Sequence, residues 1–123
     1  MAQVVRLTEG VSKATAAGDE QPLYSAVDVS GFDALDLLIT GGFETPGSPI
    51  LTLSLISGNQ VSTTDGWVAI SIAPAFRGSP AAAIGCWSIT GGFFRYVRWK
   101  VAGLSGATAA RFIIEGVGRR NSR

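Results

Sequence analysis

Apolar residues in this chain come in short runs with a period of two, and glycine, proline, asparagine or aspartate interrupts nearly every run. Leu35, Leu37 and Ile39 alternate with Ala34 and Asp36, and Leu51, Leu53 and Leu55 with Thr52 and Ser54. Val68, Ile70 and Ile72 alternate with Ala69 and Ser71, and Val97, Trp99 and Val101 with Tyr96, Arg98 and Lys100. A period of two places one set of each strand on a buried face and the other outside. Strands are predicted near 3–8, 11–17, 23–29, 32–40, 49–57, 67–73, 83–90, 93–102 and 109–118. Turn-forming pairs such as Gly18-Asp19, Ser30-Gly31, Gly58-Asn59 and Asp65-Gly66 fall between them. The pattern predicts an all-β, antiparallel, jelly-roll-like β-sandwich of eight or nine short strands. The first set in each strand is expected to fill the space between two sheets.

With 123 residues the chain has room for one such core. The expected division is an N-terminal strand or arm at 1–8, a single sandwich domain at 9–118 and a basic tail at 119–123. Met1 to Arg6 lacks a basic start followed by an apolar core, and no apolar run is long enough for a transmembrane helix. The chain therefore reads as a complete product made in the cytoplasm, with no membrane partner.

Composition narrows the chemistry. The sequence has no histidine, which removes Ser-His-Asp and Cys-His catalysis and the commonest ligand of catalytic zinc. Its one cysteine, Cys86, excludes an internal disulfide, and the apolar stretch Ala83 to Trp87 predicts a buried, inert thiol. No spacing marks two carboxylates as a hydrolytic pair, since Asp33 and Asp36 face opposite sides of a regular strand. Asp28, Asp33 and Asp36 lack the spacing of a calcium loop. The expectation is a chain that is not an enzyme and has no metal site and no cofactor.

The glycine pairs Gly41-Gly42 and Gly91-Gly92 lack the Gly-Lys-Ser/Thr of a phosphate loop. Both stand in the pentapeptide Ile-Thr-Gly-Gly-Phe, at 39–43 and 89–93, which reads as coincidence or as a trace of internal duplication.

Only 15% of residues are charged, against about a quarter in most soluble domains. Between Leu37 and Phe94 the charges are Glu44, Asp65 and Arg77 alone. Surfaces so poor in charge favour association, so this segment is expected to be covered by other copies or another protein. Residues 1–36 carry a net −4 and residues 95–123 a net +6. Either Asp28, Asp33 or Asp36 pairs with Arg95 or Arg98 inside the fold, or the two ends complement each other between subunits. Arg119, Arg120 and Arg123 could meet nucleic-acid phosphates, but without a wider basic surface a protein partner or solvent fits them better. Trp67 and Tyr96, on nominally outer faces, suit a protein interface or a sugar ring equally.

The stretches Ser30 to Ile39 and Phe93 to Val101 resemble paired strands of galactose-binding-like jelly rolls, and Asp65 to Val68 fits the same pattern. Together with Ala110 to Gly116 they are similar to small stand-alone β-sandwich proteins of tailed-phage heads, which decorate or cement the capsid. The resemblance covers well over half of the chain. It implies a structural virion protein on the capsid surface, whose partners are the major capsid protein and copies of itself. It carries over no catalytic or sugar-binding residue. Candidate contact residues are Trp67, Tyr96, Arg98, Lys100, Arg119 and Arg120, with Ala2 to Leu7 available to extend a neighbour's sheet. A non-catalytic carbohydrate-binding module, or a tail or baseplate component, is the alternative.

Overall fold

A computed structural model describes residues 2–44, 47–77 and 83–120. Among them are ten strands: β1 (Ala2–Arg6), β2 (Ser12–Ala14), β3 (Val27–Asp28), β4 (Ala34–Glu44), β5 (Ile50–Gly58), β6 (Val68–Ile72), β7 (Phe76–Arg77), β8 (Ala83–Thr90), β9 (Tyr96–Ser105) and β10 (Ala109–Arg119). They form two antiparallel sheets. The first runs β1-β10-β4-β8, with β2 also on β10; the second runs β3-β9-β5-β6, with β7 on β5. Pairing is nested: β1 with β10, β3 with β9, β4 with β8 and β5 with β6. Each early strand meets a late one, which is the winding of a jelly roll.

The alternation in the sequence accounts for most of the core. Leu35, Leu37 and Ile39 from β4, Leu51, Leu53 and Leu55 from β5, and Val97, Trp99 and Val101 from β9 are all buried. Trp87 and Ile89 of β8 and Phe112 and Ile114 of β10 complete the layer between the sheets. Trp99 meets Phe112 edge-on, with ring centroids 5.0 Å apart at 84°, the arrangement that sets a positive ring edge on a negative face.

Strand β6 departs from its expected facing. Val68 and Ile72 are exposed, and Ile70 alone of the three packs against the core. The register of β5 against β6 shifts between Leu55 and Ile56, and this sets Ser71 opposite the inward Leu55. Ser71 Oγ accepts a hydrogen bond from the indole Nε1 of buried Trp87 at 3.0 Å. An indole N–H inside an apolar layer requires an acceptor, and the displaced register supplies one.

Cys86 also departs from expectation, since it is exposed. It lies opposite Leu38 of β4 on the outer face, while Trp87 and Ile89 take the inward positions of β8. The run is apolar in composition, but alternation along β8 turns its cysteine outward.

The strand predicted over 23–29 is instead a 3-10 turn at Leu23–Ser25 followed by the two-residue β3. Upstream of it, residues 18–21 run along β9: Gly18 N donates to Val101 O at 2.8 Å and Gln21 N to Trp99 O at 3.0 Å. Residues 2–6 lie in the first sheet as β1, paired with β10 of their own chain rather than forming a separate arm. The final three residues of the predicted tail lie outside the described residues, and Arg119 ends β10.

The repeated pentapeptide takes two conformations. Gly41 and Gly42 lie within β4, whereas Gly91 and Gly92 follow β8 with φ of 59° and 72°, in the left-handed region. The same five residues thus occupy unlike places in the winding.

Gly116 stands in β10 between β1 and β4, opposite Leu37, and a Cβ there would collide with the backbone carbonyl of Asp36. Neither strand can shift without disturbing the sheet. Gly116→Ala is expected to cost about 3 kcal/mol, read by thermal or urea unfolding. An unchanged midpoint would show that the two strands have room to part.

Candidate interaction surface

Four of the six candidate residues come together on the outer face of the second sheet. Tyr96, Arg98 and Lys100 succeed one another along that face of β9, opposite Gly58, Ile56 and Ser54 of β5. Trp67, just before β6, reaches the same row. Its Nε1 donates to Thr63 O at 3.0 Å, which turns the ring back over the sheet. The ring lies on Gly58, where a Cβ would come within 2.9 Å of the indole Cδ2.

Beneath Trp67 lies Arg98, with its guanidinium 4.2 Å from the ring centroid and only 1% of the residue exposed. Nη1 donates to Gln21 O at 2.7 Å and faces Glu20 Oε1 at 3.4 Å. Nε, also buried, has no hydrogen-bond partner. A cation withdrawn from water needs pairing on every side, and here a carbonyl, one carboxylate and an aromatic face provide most of it. Arg98 therefore cannot touch a partner unless Trp67 moves; it holds Trp67 in place from below. One face of the Trp67 indole is occupied by this cation, so a sugar ring would have only the other.

Tyr96 has the Arg95 guanidinium 5.1 Å from its ring centroid, and Arg95 Nε pairs with Asp28 at 3.2 Å. Lys100 shares Glu20 with Arg98, its Nζ standing 4.0 Å from Glu20 Oε2. Sequence reasoning missed Glu20 and Gln21 as the partners of β9. They lie about 78 residues upstream, and no local spacing signals that pairing.

Arg119 and Arg120 belong elsewhere. Arg119 Nε pairs with Asp36 at 2.6 Å on the first sheet, and Arg120 Nε donates to Gly31 O at 2.9 Å. Arg120 also borders a cleft of about 460 Å³ at one end of the sandwich, with Gln3, Asp28 and Phe32. A neighbouring cleft of about 470 Å³ shares Phe32 and adds Asn59, Phe93 and Phe94.

Acidic front and basic end meet within the chain. Asp28 pairs with Arg95, Glu20 with Arg98 and Lys100, and Asp36 with Arg119; separately, Glu115 faces Arg6 at 3.4 Å, and Glu44 faces Lys13 at 3.3 Å and Arg111 at 3.1 Å. Of the pairs anticipated from the sequence, Asp28 with Arg95 is formed. Asp36 chooses Arg119 instead, because β10 and not β9 is its neighbour. The charge asymmetry of the sequence is largely neutralised inside one molecule.

These contacts have a pH signature. The Arg119 hydrogen bond holds Asp36 below the usual carboxylate range, and the backbone N–H of Ser30 does the same for Asp28. Backbone N–H groups of Thr15 and Ala16 lower Asp19, and Arg111 with Lys13 lowers Glu44. Carboxyls depressed in the fold stabilise it above their unfolded values near pH 4 and lose that contribution as pH falls through the folded values. The melting temperature is expected to decline only below about pH 4. A decline beginning near pH 6 would contradict these assignments.

No protein-family model matches the chain, and no curated protein does. Among solved structures it is similar to the SPBc2 prophage-derived protein YomS, with 12% identity and a TM-score of 0.48, over 96% of this chain and 92% of that one. It is also similar to a chain from Bacillus endospore appendages described as a novel family of disulfide-linked pili. The identity there is 14% and the TM-score 0.42, over 98% and 92% of the two chains.

The observation that bears most on function is where apolar surface remains. Leu38, Val61, Val68, Ile72 and Phe94 are exposed, all within the segment whose charges are Glu44, Asp65 and Arg77. Three further exposed apolar residues, Val4, Val11 and Tyr24, stand among the charged residues of the N-terminal third instead.

Proposed function

We propose that the chain is a structural subunit of a tailed-phage particle: a capsid decoration, or cement, protein on the outside of the head. The exposed, weakly charged middle segment carries this reading, because surface of that kind is stable in water chiefly when neighbours cover it. The resemblance of Ser30 to Ile39, Asp65 to Val68, Phe93 to Val101 and Ala110 to Gly116, taken together, to small phage-head sandwich proteins points the same way. The chain would lie across boundaries between capsid subunits, bury Val68, Ile72 and Phe94, and resist outward pressure of the packaged genome. Its partners are the major capsid protein and further copies of itself, and the reading assigns it no catalytic step and no cofactor. Trp67, Tyr96 and Lys100 are the polar-aromatic contacts on the second sheet.

The test is binding to phage heads assembled from a major capsid protein of the same phage. Saturable binding at a fixed ratio to that protein, with a raised head-disruption temperature, is expected. Failure to bind such heads would refute the assignment, and glycan binding lost in Trp67→Ala would favour a carbohydrate-binding module in its place.

A further inference from the structure

The two long sides of the sandwich are unlike. One is bordered by β1, β2 and residues 18–28, and carries Arg6, Lys13, Asp19, Glu20 and Asp28. The other is bordered by β6, β7 and β8, with β6 and β8 tied across the core by the hydrogen bond from Trp87 to Ser71; the one charged residue in these three strands is Arg77, in β7. No charged residue occurs in 66–76 or in 83–94. Proteins normally blunt open sheet edges with charge, proline or a bulge. Strand β6 is blunted, being five residues long with a register shift in its pairing. Strand β8 is not: its eight residues pair with β4 in unbroken register, from Ala34 opposite Thr90 to Gly41 opposite Ala83. Among the described residues no strand lies on its other side. Along its outward face Cys86, Ser88 and Thr90 are exposed.

We propose that β8 of one molecule pairs antiparallel with β8 of a second copy, joining the first sheets of two sandwiches into one. An open row of backbone N–H and C=O groups selects a strand as its occupant. Self-complementarity selects this strand. A two-fold pairing sets β8 against itself, and with no charged residue in it no like charges meet across the seam. The nearest charge on the adjacent strand, Asp36 opposite Ser88, is already paired with Arg119. The far side of the sandwich would bring Arg6 or Asp28 to the seam instead. This pairing deepens the reading of the chain as an assembling subunit, yet it forms without a capsid, so the two can fail separately.

Cys86, the chain's one cysteine, lies on the proposed seam and serves as its reporter. The experiment compares wild type, the double variant Ser88→Lys/Thr90→Lys and Ile72→Lys by sedimentation velocity and by cross-linking with a short bis-maleimide. Wild type and Ile72→Lys are expected to sediment as dimers and to cross-link through Cys86. The double variant should keep the wild-type melting temperature while its dimer dissociation constant rises about tenfold or more. A wild type that remains monomeric at high micromolar concentration would overturn the proposal. So would a dimer that survives the double variant but is lost in Ile72→Lys, since that result places the seam at β6.

Discussion

Replacing Trp99 by alanine is expected to cost about 3–5 kcal/mol, a large share of the stability of a domain this size. Trp99 is 5% exposed and lies edge-on to Phe112, itself fully buried, so its removal opens a cavity between the two sheets. The surrounding strands cannot close over it, because β9 is fixed on one side by β5 and on the other by residues 18–21. Its backbone N–H, which alanine retains, donates to Gln21 Oε1 at 3.0 Å and holds the 18–21 segment against β9, so the loss is one of packing. Trp99→Phe should recover more than half of the loss, since a phenyl ring retains the contact with Phe112. Urea unfolding of the two variants measures the difference. A Trp99→Ala cost near 1 kcal/mol would show that the core relaxes far more than the packing implies.

The second large effect separates charge from shape at Arg98. Arg98→Ala removes the platform under Trp67 and leaves Gln21 O and Glu20 facing a void. Removing one member of a buried pair typically costs about 3–5 kcal/mol, and the partial exposure of Glu20 lowers the expected loss to about 2–3 kcal/mol. Arg98→Met fills the same volume without a buried cation or the unpartnered Nε. Its expected change is within about 1 kcal/mol of wild type in either direction. The fluorescence of Trp67 provides a second readout, because the ring loses its cation in both variants but its packing only in the first. Equal destabilisation by alanine and methionine would mean that the guanidinium itself stabilises the fold.

Both predictions concern strand β9, where the sequence was most informative. Strict alternation of Val97, Trp99 and Val101 with Tyr96, Arg98 and Lys100 assigned its faces correctly, because β9 lies inside the sheet with a neighbour on either side. The same rule misassigned β6, an edge strand in which Ile70 is an extra residue in the pairing with β5, so that Ser71 comes to serve Trp87 as an acceptor. The need of Trp87 for an acceptor leaves no mark within residues 68–72. Cys86 illustrates a different difficulty. Composition of the run suggested burial, whereas alternation within it, with Trp87 and Ile89 inward, already implied exposure. Arg98 was legible as an outward residue but not as a buried one, since the ring that covers it arrives from the loop before β6 and its polar partners from residues 20–21. The charge imbalance between the chain's ends, readable from composition, is resolved by nested pairing that sets β1 and β4 beside β10.

The central claim is that the weakly charged side of this sandwich, bordered by β6, β7 and β8, is covered when the protein is at work. Hydrogen–deuterium exchange of the chain, free and bound to phage heads, measures that coverage residue by residue. Slower exchange on binding at 66–76 and 83–90, with 18–28 unchanged, is the predicted result. Protection confined to 18–28 and β1, leaving β6 and β8 exchanging as in the free chain, would contradict it.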